Sequence, residues 1–265
     1  DHLTNAARQI LILKALGHDV PTYTHLPLIM KNKKKMSKRD ADADPNFPVS
    51  VHARRELGYL PEATVNFLAL LGWAYDDKTE FFTRDELVKC FSLEGLSKSN
   101  ANFDEDKYLH MNAWYLRNLP RERIMPLAKE ELRKAGLVAG EKGEAWLERV
   151  IEMVRERVRL IGEFPDAVSY FFFAPDTYEE KGAKKAFKAE NTPEILRAVA
   201  EKLSGIDTND HEAVEGALRG LAEEKEIGFG KVAQPTRMAL TGRMASPGLF
   251  DVIEGLGGAA CIERL

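Results

Sequence analysis

From residue 50 to the end, the 265-residue chain carries helix signals and almost nothing else, which limits its fold more than any other feature. Ser50 precedes "VHARRELG", Pro61 sits at a first helical position before "EATVNFLALLG", Thr83 and Glu86 have capping-box spacing, and Asp104 can cap "EDKYLHMNAWYLRNL". In that last segment Tyr108, Met111, Trp114 and Tyr115 share a face. Further helices are expected over 121–135, 143–162, 193–204, 210–225, 229–241 and 247–255, with caps at Thr192-Pro193 and Ser246-Pro247. Short Gly/Pro turns join them and no alternating pattern intervenes, so a long all-α region is expected. Around 164–176, the stretch "EFPDAVSYFFFAPDT" (163–177) is expected to break the helical rhythm, and no internal repeat is visible.

The first fifty residues differ. Thr4 can cap a helix whose Ala7, Ile10, Leu11 and Leu13 lie near one face, with Gly17 placed to end it. "VPTYTHLPLIM" at 20–30 is the best strand candidate, and "KNKKKMSKRD" at 31–40 follows directly, with five lysines and an arginine. Helix, strand and basic loop are the ingredients of an α/β nucleotide domain, whose ligands sit beyond the carboxyl ends of its strands. The expected class is therefore mainly α, with a small α/β remnant at the start.

The formal net charge is −4, so the basic run is an island and any anion site must arise from local charge. The longest apolar stretch, "VNFLALLGWAY" at 65–75, falls short of the roughly 20 residues a membrane helix needs. Cys90 and Cys261 are far apart and outside any C-x-x-C pair, which indicates neither a disulfide framework nor a zinc site and fits a reducing cytosol. His2, His25, His52 and His110 have no metal-ligand spacing, so no metal site is expected. The opening "DHLTNAARQ", without an initiator Met, suggests a start inside a larger protein.

Taken alone, "KNKKKMSKR" reads at least as readily as a solvated charge run or localisation-type patch as it does as an anion site. Its order, Lys35-Met36-Ser37-Lys38-Arg39, matches the K-M-S-K-S/R signature of class I aminoacyl-tRNA synthetases. The flank "DHLTNAARQILILKALGHDVPTYTHLPLI", then "GYLPEATVNFLALLGW" and, near the end, "ALTGRMASPGLFDVIEGLG" resemble bacterial glutamyl-tRNA synthetases in the same order and at similar spacing. The resemblance covers nearly the whole chain. It implies a remnant of the class I catalytic domain over 1–48, a helical stem-contact region over 49–118, and two helical anticodon-binding domains over 119–169 and 170–265. The family's His-Ile-Gly-His-like motif and glutamate-binding arginine have no counterpart here, so the sequence resembles the C-terminal portion. A glutaminyl enzyme would end in β-barrels, and strand signals for those are absent. A catalytically inert tRNA-binding fragment and a purely helical scaffold remain the alternatives.

By this resemblance, ATP with Mg2+ is a substrate, Lys38 is the main triphosphate-binding lysine and Lys35 its partner, and Ser37 shapes the loop. Cations placed where the departing pyrophosphate gathers charge stabilise the transition state more than the ground state. Met36 is an apolar anchor, Asp1 falls where a carboxylate meets the ATP ribose, and Leu28 and Ile29 fall where the adenine is held, unless they are strand core. The family usually places a small glycine turn after Arg39, where this sequence has "DADADPNFPV". Arg157 aligns with an arginine that reads the third anticodon base. Arg155, Arg157 and Arg159 are expected on one long helix, where i, i+2 spacing turns neighbours to different faces; the alternative for Arg157 is a solvated helix arginine with no specific role. Arg237, Ser246, Pro247, Leu249 and Phe250 match positions near the first two anticodon bases, against the reading of a hydrophobic cap, which is favoured for Phe250. The implied partners are tRNA(Glu), ATP and L-glutamate, the last bound outside this sequence, for a cytoplasmic monomer without membrane contact.

Overall fold

A computed structural model describes residues 2–31, 34–36 and 50–265. Asp1, Ser37 and Lys38 among the expected ATP contacts lie outside the described residues. The chain is mainly α with one small three-stranded sheet, and divides into two compact units, Asp1–Asn118 and Leu119–Leu265.

The first unit opens with helix α1 (Leu3–Ala15), ended by Gly17 at φ +73°. Its N-cap is His2, not Thr4, and Ala6 is its buried residue, while Leu3, Leu11, Ile12 and Leu16 stand exposed. Only the end of the expected strand pairs: β1 (Ile29–Lys31) lies between β2 (Lys34–Lys35), antiparallel, and β3 (Ala101–Asn102), parallel. Pro21 and Pro27 have no N–H to give a ladder, which accounts for the shorter strand. Helices α2 (Val51–Glu56), α3 (Pro61–Leu70), α4 (Arg84–Cys90) and α5 (Glu105–Asn118) follow. Their local signals are used as read. Ser50 Oγ accepts from Ala53 N at 3.1 Å, Thr83 and Glu86 form the capping box, and Asp104 Oδ1 accepts from Lys107 N at 2.9 Å.

Helices α3 and α5 pack face to face, with Phe67 stacked on Tyr108 at 4.3 Å and Ala63 and Met111 fully buried. Polar groups knit this core. Asn66 Oδ1 accepts from Phe82 N at 2.9 Å and the Tyr115 hydroxyl at 2.6 Å, and Asn112 Oδ1 accepts from Leu60 N at 2.8 Å. The buried Arg54 guanidinium makes a two-pronged pair with Glu105 and lies 5.3–5.5 Å from the ring centres of Tyr59, Phe103 and Tyr108. Burial, followed by the Glu105 charge, pushes the Tyr59 phenol up to about 12.

The second unit comprises α6 (Arg121–Lys134), α7 (Gly143–Arg155), α8 (Phe164–Phe172), α9 (Glu180–Ala186), α10 (Thr192–Ser204), α11 (His211–Glu224), α12 (Gly230–Thr241), α13 (Leu249–Leu256) and α14 (Gly258–Arg264). Several expectations are overturned, the caps expected at Thr192 and Ser246 among them, since Asn191 and Gly248 hold those positions. Helix α7 stops at Arg155 rather than 162, and "FPDAVSYFF" is itself a helix, because Pro165 sits in its first turn where no intrahelical donor is required. Val150, Ile151, Val154, Phe164 and Val168 form the core around α6 to α8, and Val199, Leu218, Val232, Leu240 and Ile253 that around α10 to α13. Helix α13 packs on both α7 and α8, and Trp146 Nε1 donates to Gly255 O at 2.7 Å. The division expected at 169/170 falls inside α8.

Candidate nucleic-acid interface

Two of the expected anticodon contacts, Arg157 and Arg237, are brought to one place by the early end of α7 and the C-terminal half of α12. Arg157 N donates to Val154 O at 2.9 Å in the turn that leaves α7, and Val158 beside it is buried at 1% exposure. Arg157 and Arg159 therefore flank an inward-pointing residue and both line one cavity, contrary to the divergence a continuing helix would impose. Arg155, the last helical residue, is buried and gives its guanidinium to Leu119 O and Glu152. The cavity, about 370 Å³, is also lined by Tyr170, Arg243, Ser246 and Pro247.

The cations at its rim and beside it differ in what they are free to do. Arg237 is half-buried and donates through Nη1 to Ser246 Oγ and the carbonyl of Pro247, fixing the turn between α12 and α13. Burial, and after it the neighbouring Arg157 charge, hold the Arg237 guanidinium below its ordinary value. Arg243 holds Asp166 with two bonds of 2.7 and 2.8 Å, and that contact raises its affinity for the proton. Arg157 is exposed and has no salt-bridge partner among the described residues. Tyr170 lies beneath these arginines at 3% exposure, its hydroxyl buried and without a hydrogen-bond partner among the described residues. Burial drives its phenol pKa well up, with Arg243, Arg157 and Arg237 pulling it down in that order, so the hydroxyl is a neutral donor at physiological pH. The free Arg157 guanidinium suits an acceptor edge or an anion.

The remaining expected contacts in this unit have other surroundings. The helix start expected at Ser246-Pro247 is displaced: α13 begins at Leu249 with Gly248 as N-cap, and Ser246 Oγ is occupied by Arg237. Leu249 is buried at 5% and packs in the core, and Phe250 is half-buried with its ring 6.4 Å from that of Phe229. Gly242, at φ +71°, ends α12 where a Cβ would meet Thr177 O at 2.7 Å, so the turn carrying Arg243 admits only glycine.

In the first unit, Leu28 N donates to Asn100 Oδ1 at 3.2 Å and its carbonyl accepts from Ala101 N at 3.2 Å. Ile29 is 37% exposed at the head of β1, its carbonyl accepting from Met36 N at 3.1 Å. Met36 is half-buried and Lys35 is exposed on β2.

Residues 121–265, more than half the chain, match a family model described as an anticodon binding domain, and residues 1–110 match the catalytic domain of class I tRNA synthetases (E and Q). The chain belongs to the glutamate–tRNA ligase family. Within that family, the ligase of Moorella thermoacetica is 38% identical over 269 residues and that of Anaeromyxobacter dehalogenans 40% over 266. Each match takes in 100% of this chain and 54% of the relative, so the chain spans about half the length of the curated relatives it matches. A crystal structure of a glutamate tRNA ligase from Elizabethkingia meningosepticum in complex with its amino acid superposes with a TM-score of 0.85 at 32% identity, over 99% of this chain and 54% of that one. The glutamate-tRNA synthetase of Elizabethkingia anophelis gives 0.81 at 32% identity.

Sequence reasoning missed Tyr170 and Arg243. The aromatic run "SYFFF" around Tyr170 was visible, but only packing reveals that its hydroxyl is buried unpaired among arginines.

Proposed function

We propose that this chain supplies the KMSKR loop and the anticodon-reading part of a glutamate–tRNA ligase, which joins glutamate to tRNA(Glu) through glutamyl-adenylate. The observation that carries this reading is the cavity of the second unit, where free Arg157 and the unpaired Tyr170 hydroxyl adjoin the Arg237–Ser246–Pro247 turn within the span matched by the anticodon-binding model. In this reading Arg157 addresses the third anticodon base, while Arg237 holds the turn that presents Ser246 and Pro247 to the other two. Leu249 and Phe250 support that turn from behind by packing.

For the chemistry, Lys38 and Lys35 act on the ATP triphosphate. Glutamate's carboxylate attacks the α-phosphorus, the bond to pyrophosphate breaks, and the ammonium groups of the loop stabilise the departing charge. Asp1 addresses the ribose, Ser37 shapes the loop, and Leu28 and Ile29 border the adenine; Leu28 has its N–H and C=O engaged within the first unit, so its side chain is the freer part. The four-part division at 48/49, 118/119 and 169/170 belongs to the same proposal, as do a cytoplasmic setting and a monomeric state. No described helix is long and apolar enough to cross a membrane.

The 265 residues contain no His-Ile-Gly-His-like motif, and we propose that by themselves they do not form glutamyl-adenylate. Pyrophosphate exchange tests this: background exchange is expected with and without glutamate, and glutamate-dependent exchange would overturn it.

A further inference from the structure

Beside the anticodon cavity, and outside it, runs a second groove of about 590 Å³, lined by Lys185, Lys188, Thr192, Lys231 and Gln234. It continues through Lys185 and Gln234 into a smaller cleft that reaches Arg237 and Arg243. Neither lining includes an acidic residue, although the chain as a whole carries a net charge of −4. Elsewhere in this unit Lys129, Lys134, Lys184, Lys202 and Lys225 each hold a glutamate. Lys185, Lys188 and Lys231 are exposed and take part in no salt bridge among the described residues. Glu194, in the first turn of α10, is turned to Lys225.

Two helices of 13 and 12 residues, α10 and α12, begin at this groove, and neither N-cap residue, Asn191 or Phe229, gives a side-chain capping bond. Their first-turn amides thus present partial positive charge to the same space. Thr192, at the first position of α10, is 4% exposed and lines the groove, yet its hydroxyl has no hydrogen-bond partner among the described residues. A threonine only 4% exposed whose hydroxyl is unpaired, set between free lysines and open helix starts, suits the oxygens of a phosphate.

We propose that this groove carries the sugar-phosphate backbone of the RNA strand as it leaves the anticodon cavity, holding it by phosphate contacts without reading sequence. This rests on the tRNA-binding role proposed above. The groove's continuity with Arg237 and Arg243 favours an extended polyanion over a single small anion, and lysines, as mobile point charges, suit successive phosphates of one strand.

The test is a titration of the chain with tRNA(Glu) and tRNA(Gln) over a range of salt, for the parent, K188A/K231A and Thr192→Val. Each lost phosphate contact lowers the slope of log K against log salt by about 0.7 for a single strand, so K188A/K231A loses about 1.4 of slope and roughly tenfold in affinity at 0.15 M salt. Thr192→Val weakens binding a few-fold with the slope unchanged, because it removes a neutral donor. Both variants leave the ratio of affinities for the two tRNAs as in the parent, since phosphates carry no sequence information. If the parent binds tRNA while K188A/K231A matches it in affinity and slope, the groove proposal is wrong and the anticodon reading stands. If the parent binds neither tRNA, both fail.

Discussion

Replacing Tyr170 by phenylalanine should make the chain more stable. The hydroxyl is buried without a partner while the ring packs 4.5 Å from that of Phe171, so the substitution deletes the unpaired group and keeps the packing. Leaving such a group buried costs about 1–3 kcal/mol. Recovering about 1 kcal/mol in a unit of about 150 residues raises Tm by about 2–4 °C. Thermal unfolding followed through Trp146, the tryptophan of this unit, reads the change. The pH dependence adds a second check. The folded phenol is raised above its ordinary 10.0, so the stability tied to its neutral form is complete below that value and is lost as pH climbs past it. Phenylalanine has no such loss, and its advantage over the parent should widen above pH 10. A lower Tm than the parent at neutral pH would mean that the hydroxyl has a partner in the folded chain, and the reasoning would fail.

Glu105→Gln removes the charge facing the Arg54 guanidinium, which is buried at 4% exposure, and should destabilise the first unit by about 2–4 kcal/mol, somewhat below the cost of orphaning a fully buried ion because Glu105 is partly solvated. Denaturant titration followed through Trp73 and Trp114 measures this. In an enzyme carrying the whole catalytic domain, Lys38→Ala should slow adenylate formation by about 2.7–4 kcal/mol in the barrier with little change in glutamate affinity, and an unchanged activation rate in pre-steady-state kinetics would reduce the basic loop to a solvated run.

What was legible in the sequence was local. Ser50, Thr83-Glu86 and Asp104 announce their helices because a cap is a contact between residues two or three apart, and the mainly α class follows from their number. The limits of α7 and α8 were not legible, because Pro165 reads as a breaker until it is known to sit in a first turn. Arg54 pairs with Glu105 across 51 residues, and Arg243 with Asp166 across 77, so no periodicity could have joined them. The motif resemblance pointed to Arg157 and Arg237. It could not distinguish the free guanidinium of the first from the committed one of the second, which depends on Ser246 and Pro247 folding back onto α12.

The central claim is that Arg157 reads RNA from the cavity at the end of α7. Equilibrium binding of tRNA(Glu) and tRNA(Gln) to the chain and to Arg157→Gln, at one fixed salt concentration, tests it most directly. Guanidinium only donates hydrogen bonds, whereas an amide both donates and accepts, so the variant should tolerate a different third anticodon base. By analogy with base readout in DNA, the parent's preference for tRNA(Glu) should shrink by about 1–3 kcal/mol in Arg157→Gln, with the salt slope almost unchanged. A parent that shows no preference, or a variant in which both affinities fall by the same factor, would contradict the account.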